Sequence, residues 1–219
     1  MGSQRRDVPG TVHIVDDDAS FRTATERRLR IAGYEVVTYP SSLQLLDRLP
    51  DDSRPGCILL DVKIPDVSGP DLQDRLRMLG STLPIVFLTG HADVPTTVRT
   101  IKAGAEDFLT KPVSSEKLLG AIEQAMAHHA FLRGQNRRLE GFRELLATLT
   151  PRERQVFERV VQGKINKQIA HELGATERTI KAHRQRVMEK MKVQTLAELV
   201  SIAERLGMVA DVASESRPA

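Results

Sequence analysis

In the first half of the chain, apolar runs repeatedly end on polar groups. Val12-His13-Ile14-Val15 runs into Asp16-Asp17, Cys57-Ile58-Leu59-Leu60 into Asp61, and Pro84 through Leu88 into Thr89, while a weaker run closes on Lys111-Pro112. Short apolar runs separated by helix-period segments read as buried parallel strands, and open α/β sheets bind ligands just past the carboxyl ends of such strands. Three carboxylates, a hydroxyl and an ammonium are thereby directed to one crevice. Three ionised carboxylates side by side repel one another unless a cation lies between them, and hard oxygen donors suit Mg2+ with several retained waters. Such a set can hold that ion and accept a phosphoryl group. Asp18, next in line, reads instead as the cap of a helix starting near Ala19.

The elements that must position these groups alternate. Strands are expected at about 11–15, 35–38, 56–60, 84–88 and 106–109, and helices over Ala19–Ala32, Ser41–Leu49, Ser68–Met78, Val94–Ala103 and onward from Ser114. Five βα units with short loops predict a doubly wound parallel sheet of flavodoxin-like order, because parallel neighbours need right-handed helical crossovers. From Ser114 to about Thr148 the chain reads as one extended helix or two collinear ones. Leu118, Ala125, Leu132, Leu139 and Leu146 recur every seven residues, but the companion positions Ile122, His129, Asn136 and Arg143 are mostly polar. That half-seam is expected to act as a linker with local packing rather than a full coiled coil.

The remainder is all-helical, with its boundaries written in caps. Thr150-Pro151-Arg152-Glu153 is a capping box with Pro at the first helical position, Thr195-Leu196-Ala197-Glu198 is a second box, and Asn166 and Thr176 are positioned to cap two more helices. Gly163, Gly174 and Gly207 supply helix stops. Four short helices follow, at about 151–162, 167–173, 177–192 and 196–206, the middle pair forming a helix-turn-helix. Along its second helix Ile180, Val187 and Met191 share the inward face. Arg178, Ala182, Gln185 and Glu189 lie opposite, flanked by Lys181 and Arg186, so base edges are expected at the N-terminal half of that face and phosphates at its cations.

Composition agrees with this division. The 219 residues carry a net charge of +3, but residues 1–130 hold 15 Lys/Arg against 18 Asp/Glu and residues 131–219 hold 17 against 11, so only the second half is a plausible partner for a polyanion. No apolar segment approaches the roughly 18 residues of a membrane span, and the first ten residues lack a signal-peptide core. A cytoplasmic protein without membrane association is expected. The single cysteine, Cys57, lies within an apolar run and reads as a buried thiol.

The segments VHIVDDD, LLDVKIPDVSGPDL, IVFLTGHADV and AGAEDFLTKP resemble the receiver domain of two-component response regulators, especially the NarL/FixJ group, and residues 149–203 resemble the LuxR/NarL-type DNA-binding domain. The resemblance implies a flexible N-terminus (1–10), a receiver (11–127), a helical linker (128–147), a four-helix DNA-binding domain (148–208) and a flexible C-terminus (209–219). It implies that Asp61 accepts a phosphoryl group from a cognate sensor histidine kinase. Mg2+ would be held by Asp17, Asp61 and the Lys63 backbone carbonyl, with Asp16 acting mainly through water. Thr89 and Lys111 would contact the phosphoryl group, the bond before Pro112 being cis, and Phe108 would turn inward as Thr89 moves. Lys63 and His91 would tune dephosphorylation.

Carried onto the second domain, the resemblance places base contacts at Lys181, Ala182 and Gln185, with Arg178, Arg186 and Lys167 completing the DNA-binding set. Phosphorylation would promote a homodimer on promoter DNA that activates transcription through RNA polymerase. Two rival readings are a phosphorylation-independent DNA-binding regulator and a Mg2+-dependent phosphatase working through an aspartyl phosphate. The second needs an Asp two residues after the nucleophile, where this chain has Lys63.

Overall fold

A computed structural model describes residues 10–90 and 93–208. It divides into two compact units after Gly134. The first contains strands β1 (Thr11–Val15), β2 (Glu35–Tyr39), β3 (Gly56–Leu60), β4 (Ile85–Thr89) and β5 (Asp107–Thr110). They form one sheet in the order β2-β1-β3-β4-β5, with every adjacent pair parallel. This is the expected flavodoxin-like order. Its connection reverses direction at β1, leaving a crevice between β1 and β3.

Side chains of the central strands sort by twos onto two cores. Val12, Ile14, Cys57, Leu59, Val86 and Leu88 pack with Leu29 of α1 (Ala19–Ile31) and with Leu118 and Ile122 of α5 (Ser115–Ala147). Val15, Ile58, Leu60, Ile85 and Phe87 pack on the other face with Leu45 of α2 (Ser42–Asp47) and with Leu72 and Leu76 of α3 (Gly69–Met78). Burial on both faces explains why these strands are almost continuously apolar. Cys57 is buried, and desolvation pushes its thiol up to about 12, so it is not a thiolate at neutral pH.

Local differences from the expected boundaries have physical causes. Strand β5 lies one residue later than 106–109, because Glu106 joins the sheet only through its N–H to the Ile85 carbonyl (2.8 Å). Helix α2 stops at Asp47 rather than Leu49, since Arg48 leaves the helical region at φ −133°. Helix α4 is Val94–Lys102, capped by Asp93, whose side chain accepts from the Thr96 amide. Segment 115–147 is a single helix. Leu118 and Ala125 of its heptad series belong to the core of the first unit and Leu146 to that of the second, whereas Leu132 and Leu139 between them are half-buried.

The second unit holds α6 (Pro151–Val161), α7 (Asn166–Glu172), α8 (Glu177–Lys190) and α9 (Leu196–Arg205). The Thr150 capping box forms as expected. Asn166 does not cap α7: it is the first helical residue, the cap is Ile165, and the Gln168 side chain accepts the Ile165 N–H at 3.0 Å. The box at Thr195 is only half made, because Glu198 accepts the Gln194 amide instead of that of Thr195. The expected flexible termini lie, apart from Gly10, outside the described residues. Among the described residues no helix is long and apolar enough to cross a membrane.

Candidate functional site

Each group at the crevice is delivered by the end of a strand. Val15 pairs with Leu60 across β1 and β3, and the Asp61 amide donates to the Val15 carbonyl (2.9 Å), so Asp16 and Asp61 leave the sheet side by side. Thr89 ends β4 opposite Thr110, and the Lys111 amide donates to the Thr89 carbonyl (2.7 Å). The Lys111–Pro112 bond is cis. The Lys111 ammonium donates to Asp16 Oδ2 at 2.5 Å and to Asp61 Oδ2 at 2.6 Å. Carboxylate oxygens of Asp16, Asp17 and Asp61 lie within 4.8 Å of one another, with Asp16 and Asp61 buried and Asp17 exposed.

Backbone amides also hold this nest. The Lys63 N–H donates to Asp61 Oδ1 (3.0 Å) and the Asp18 N–H to Asp16 Oδ1 (2.9 Å). Burial pushes the Asp16 carboxyl above its ordinary range, opposed by the Lys111 hydrogen bond and the Asp18 amide. For Lys111 burial works against the charge, but its hydrogen bonds to both carboxylates outweigh it and raise the ammonium's pKa. A cation is thus retained between two buried anions.

Thr89 is buried at the end of β4. Phe108 is half-buried, its ring centroid 6.0 Å from that of Phe87. The Lys63 side chain is exposed. His91 lies outside the described residues.

Two neighbours of the nest escaped the sequence reading, both in the first turn of α1. Arg22 Nη1 donates to the Asp16 carbonyl at 2.6 Å, and the Phe21 ring centroid lies 4.0 Å from the Lys111 Nζ. Their signal was position. Asp18 fixes the helix start by accepting the Ser20 and Phe21 amides, so residues three and four later face back toward the strand end.

The second unit presents the other candidate surface. Arg178, Lys181, Ala182, Gln185 and Arg186 of α8 are all exposed, as is Lys167 at the start of α7, while Ile180, Val187 and Met191 are buried. The Gln185 amide donates to Glu189 Oε1 (3.0 Å). Arg184 donates to Asn166 Oδ1 (3.0 Å) and ties the two helices of the helix-turn-helix together. With Lys167 and Lys181 these residues line an open notch. Glu153 is buried and accepts from the Thr150 amide (2.9 Å) and from Lys190 Nζ (2.6 Å), fastening the end of α8 to the start of α6.

Residues 12–123 match the model of the response regulator receiver domain, and residues 147–203 that of bacterial regulatory proteins of the luxR family. Nodulation protein W of Bradyrhizobium diazoefficiens is 39% identical over 210 residues, covering 96% of this chain and 92% of that protein. Transcriptional regulatory protein FixJ of the same organism is 38% identical over 202 residues, covering 92% and 98%. The structure of the response regulator StyR aligns with a TM-score of 0.78 at 42% identity, covering 90% of this chain and 98% of that one. A receiver domain joined to a LuxR-type DNA-binding domain makes this chain a two-component response regulator, and it belongs to the NarL/FixJ family.

Proposed function

We propose that Asp61 is the phosphoacceptor and that its phosphorylation by a cognate sensor histidine kinase controls promoter binding by the second unit. The observation that carries this reading is the nest itself, in which one lysine spans two buried carboxylates whose amide contacts fix their orientation. Asp61 attacks the phosphorus of a phosphohistidine, the P–N bond breaks, and an acyl phosphate forms at the carboxylate.

Such transfer asks the protein for positioning and charge neutralisation more than for covalent chemistry. Lys111 supplies a fixed positive charge, and Thr89 is the hydroxyl donor to a phosphoryl oxygen. The clustered hard oxygens fit Mg2+, which Asp16, Asp17, Asp61 and the Lys63 carbonyl would hold and which adds neutralisation of the phosphoryl oxygens. Phe108 takes the space that Thr89 leaves, and Lys63 and His91 set the lifetime of the acyl phosphate.

The phosphorylated chain forms a homodimer, for which α4 offers exposed Val94, Val98 and Ile101. The dimer binds promoter DNA through Lys181, Ala182 and Gln185, with Arg178, Arg186 and Lys167 on phosphates, and activates transcription through RNA polymerase in the cytoplasm. Chemistry beyond its own phosphotransfer and dephosphorylation is not part of this reading.

The test uses acetyl phosphate and Mg2+ with intact-mass detection, followed by DNA binding at several salt concentrations. An adduct of one phosphoryl group, absent in Asp61→Ala and accompanied by tighter promoter binding, supports the proposal. Unmodified protein, or promoter binding indifferent to modification, refutes it. Arg186→Ala should also reduce the magnitude of the salt slope by about 0.9, as loss of one phosphate contact does.

A further inference from the structure

We propose that Phe21 is a positioning residue of the phosphoacceptor site, its ring face holding the Lys111 ammonium against Asp16 and Asp61. The role rests on the phosphoacceptor reading above, but the contact can be tested apart from it. An ammonium has three donors. Two are spent on the carboxylates at 2.5 and 2.6 Å, and the ring centroid stands 4.0 Å from the same nitrogen. The Lys111 side chain is only 17% exposed, so the aromatic face stands where water would otherwise solvate the charge. The electron-rich face of a ring attracts a cation, and the attraction grows as water is excluded.

The ring is itself held in place. Phe21 packs partly buried against the core formed by β1, α1 and α5. Its amide is one of the two that Asp18 caps, at 3.1 Å. The next residue, Arg22, binds the carbonyl of Asp16. One helical turn therefore fixes both the acid and the platform beneath the lysine that bridges it. Filling this corner of the core requires only an apolar side chain, whereas placing a ring centroid against a buried ammonium supplies an interaction that leucine lacks.

The test replaces Phe21 in the full chain with phenylalanine carrying one, two and three ring fluorines, which weaken the negative face progressively while changing volume little. The first readout is the initial rate of Asp61 acyl phosphate formation from acetyl phosphate with Mg2+. It is expected to fall stepwise, by about five- to thirtyfold in total, the range from the upper end of an exposed cation–π contact to a desolvated one. Phe21→Tyr should stay near wild type, and Phe21→Leu should match the trifluorinated protein.

The second readout is the 13C-lysine NMR spectrum, with the Lys111 signal assigned by its loss in Lys111→Arg. The ε-methylene protons should be shifted by the ring current and return to ordinary values in Phe21→Leu. A flat rate across the fluorine series combined with a loss in Phe21→Leu would make Phe21 a packing residue and overturn the proposal, as would an ε-methylene signal unmoved by Phe21→Leu. If the wild-type protein takes no phosphoryl group, the phosphoacceptor reading and the catalytic part of this proposal both fail, while the NMR result still decides whether the ring holds the ammonium.

Discussion

Replacing Glu153 by Gln should weaken the second unit by about 2 kcal/mol at neutral pH. The carboxylate is 3% exposed, and the Lys190 hydrogen bond, followed by that of the Thr150 amide, holds its pKa at about 2 against an ordinary glutamate value of 4.5. At 1.36 kcal/mol per pH unit that difference corresponds to roughly 3 kcal/mol. Lys190 is 35% exposed, and solvent screening of that end lowers the figure to about 2. Gln keeps an acceptor for the Thr150 amide, so it removes mainly the charge. Ala also removes half of the capping box and should cost about 1 kcal/mol more.

Tyr34 and Tyr39, the two tyrosines of the chain, both lie in the first unit, so hydrogen exchange is the suitable assay. Amides of 180–190 should lose roughly thirtyfold protection in Glu153→Gln, the equivalent of about 2 kcal/mol. The folded carboxyl has the depressed pKa, so its contribution is present above 4.5 and is lost as pH falls through about 2. Wild type and Gln variant should therefore converge over that range. Equal protection at pH 7, or a gap persisting at pH 2, would show that the Lys190 contact does not stabilise the end of α8.

Three further predictions concern other parts of the chain. Burial lowers His13 to about 4 from 6.5, so the unfolded chain takes up a proton first and the first unit should lose roughly 3 kcal/mol as pH falls between those values; urea unfolding followed by tyrosine fluorescence should show this slope in wild type and lose it in His13→Gln. Lys192 adopts a left-handed φ of 55° just past α8, so Lys192→Gly should stabilise the second unit by about 1 kcal/mol in hydrogen exchange. A Cβ on Gly69 would stand 2.4 Å from the Asp61 carbonyl oxygen, so Gly69→Ala should slow acetyl phosphate labelling of Asp61 and cost about 1–3 kcal/mol in urea unfolding of the first unit.

What could be read from the sequence was what acts locally. Strand ends at Val15 and Leu60, the Asp18 cap and the left-handed glycines 163, 174 and 207 all follow from neighbours within a few residues. The sheet order followed as well, because parallel strands with short loops leave few alternatives. Contacts decided by assembly were hidden. The Lys63 amide on Asp61, Arg22 on the Asp16 carbonyl and Lys190 on Glu153 depend on how a loop turns or on which helices pack. Asn166 shows the reverse error: a good capping residue sits one position inside the helix because its side chain is used by Arg184, eighteen residues away. Competition from a tertiary partner overrides local propensity there.

The nest also limits which side chains can carry the proposed switch. Lys111 already has its two anions before any phosphoryl group arrives, so modification of Asp61 exchanges one of its partners without adding a cation. A ligand shifts an equilibrium only through contacts that differ between the two states, and a lysine held in place by the Phe21 ring reaches the phosphoryl group similarly in both. The difference must come from groups that relocate. A hydroxyl hydrogen bond to a charged oxygen contributes about 1.5–3 kcal/mol, a ceiling for Thr89 because leaving its present partner offsets part of it. Phe108 is half-buried, and removing a further ~80 Å² of its surface from water adds about 2 kcal/mol. Their sum, about 4 kcal/mol, falls short of the roughly 5.5 kcal/mol that would carry a 1:99 equilibrium to 99:1. In the proposed switch dimerisation would supply the remainder by mass action, so full activation is expected to depend on protein concentration.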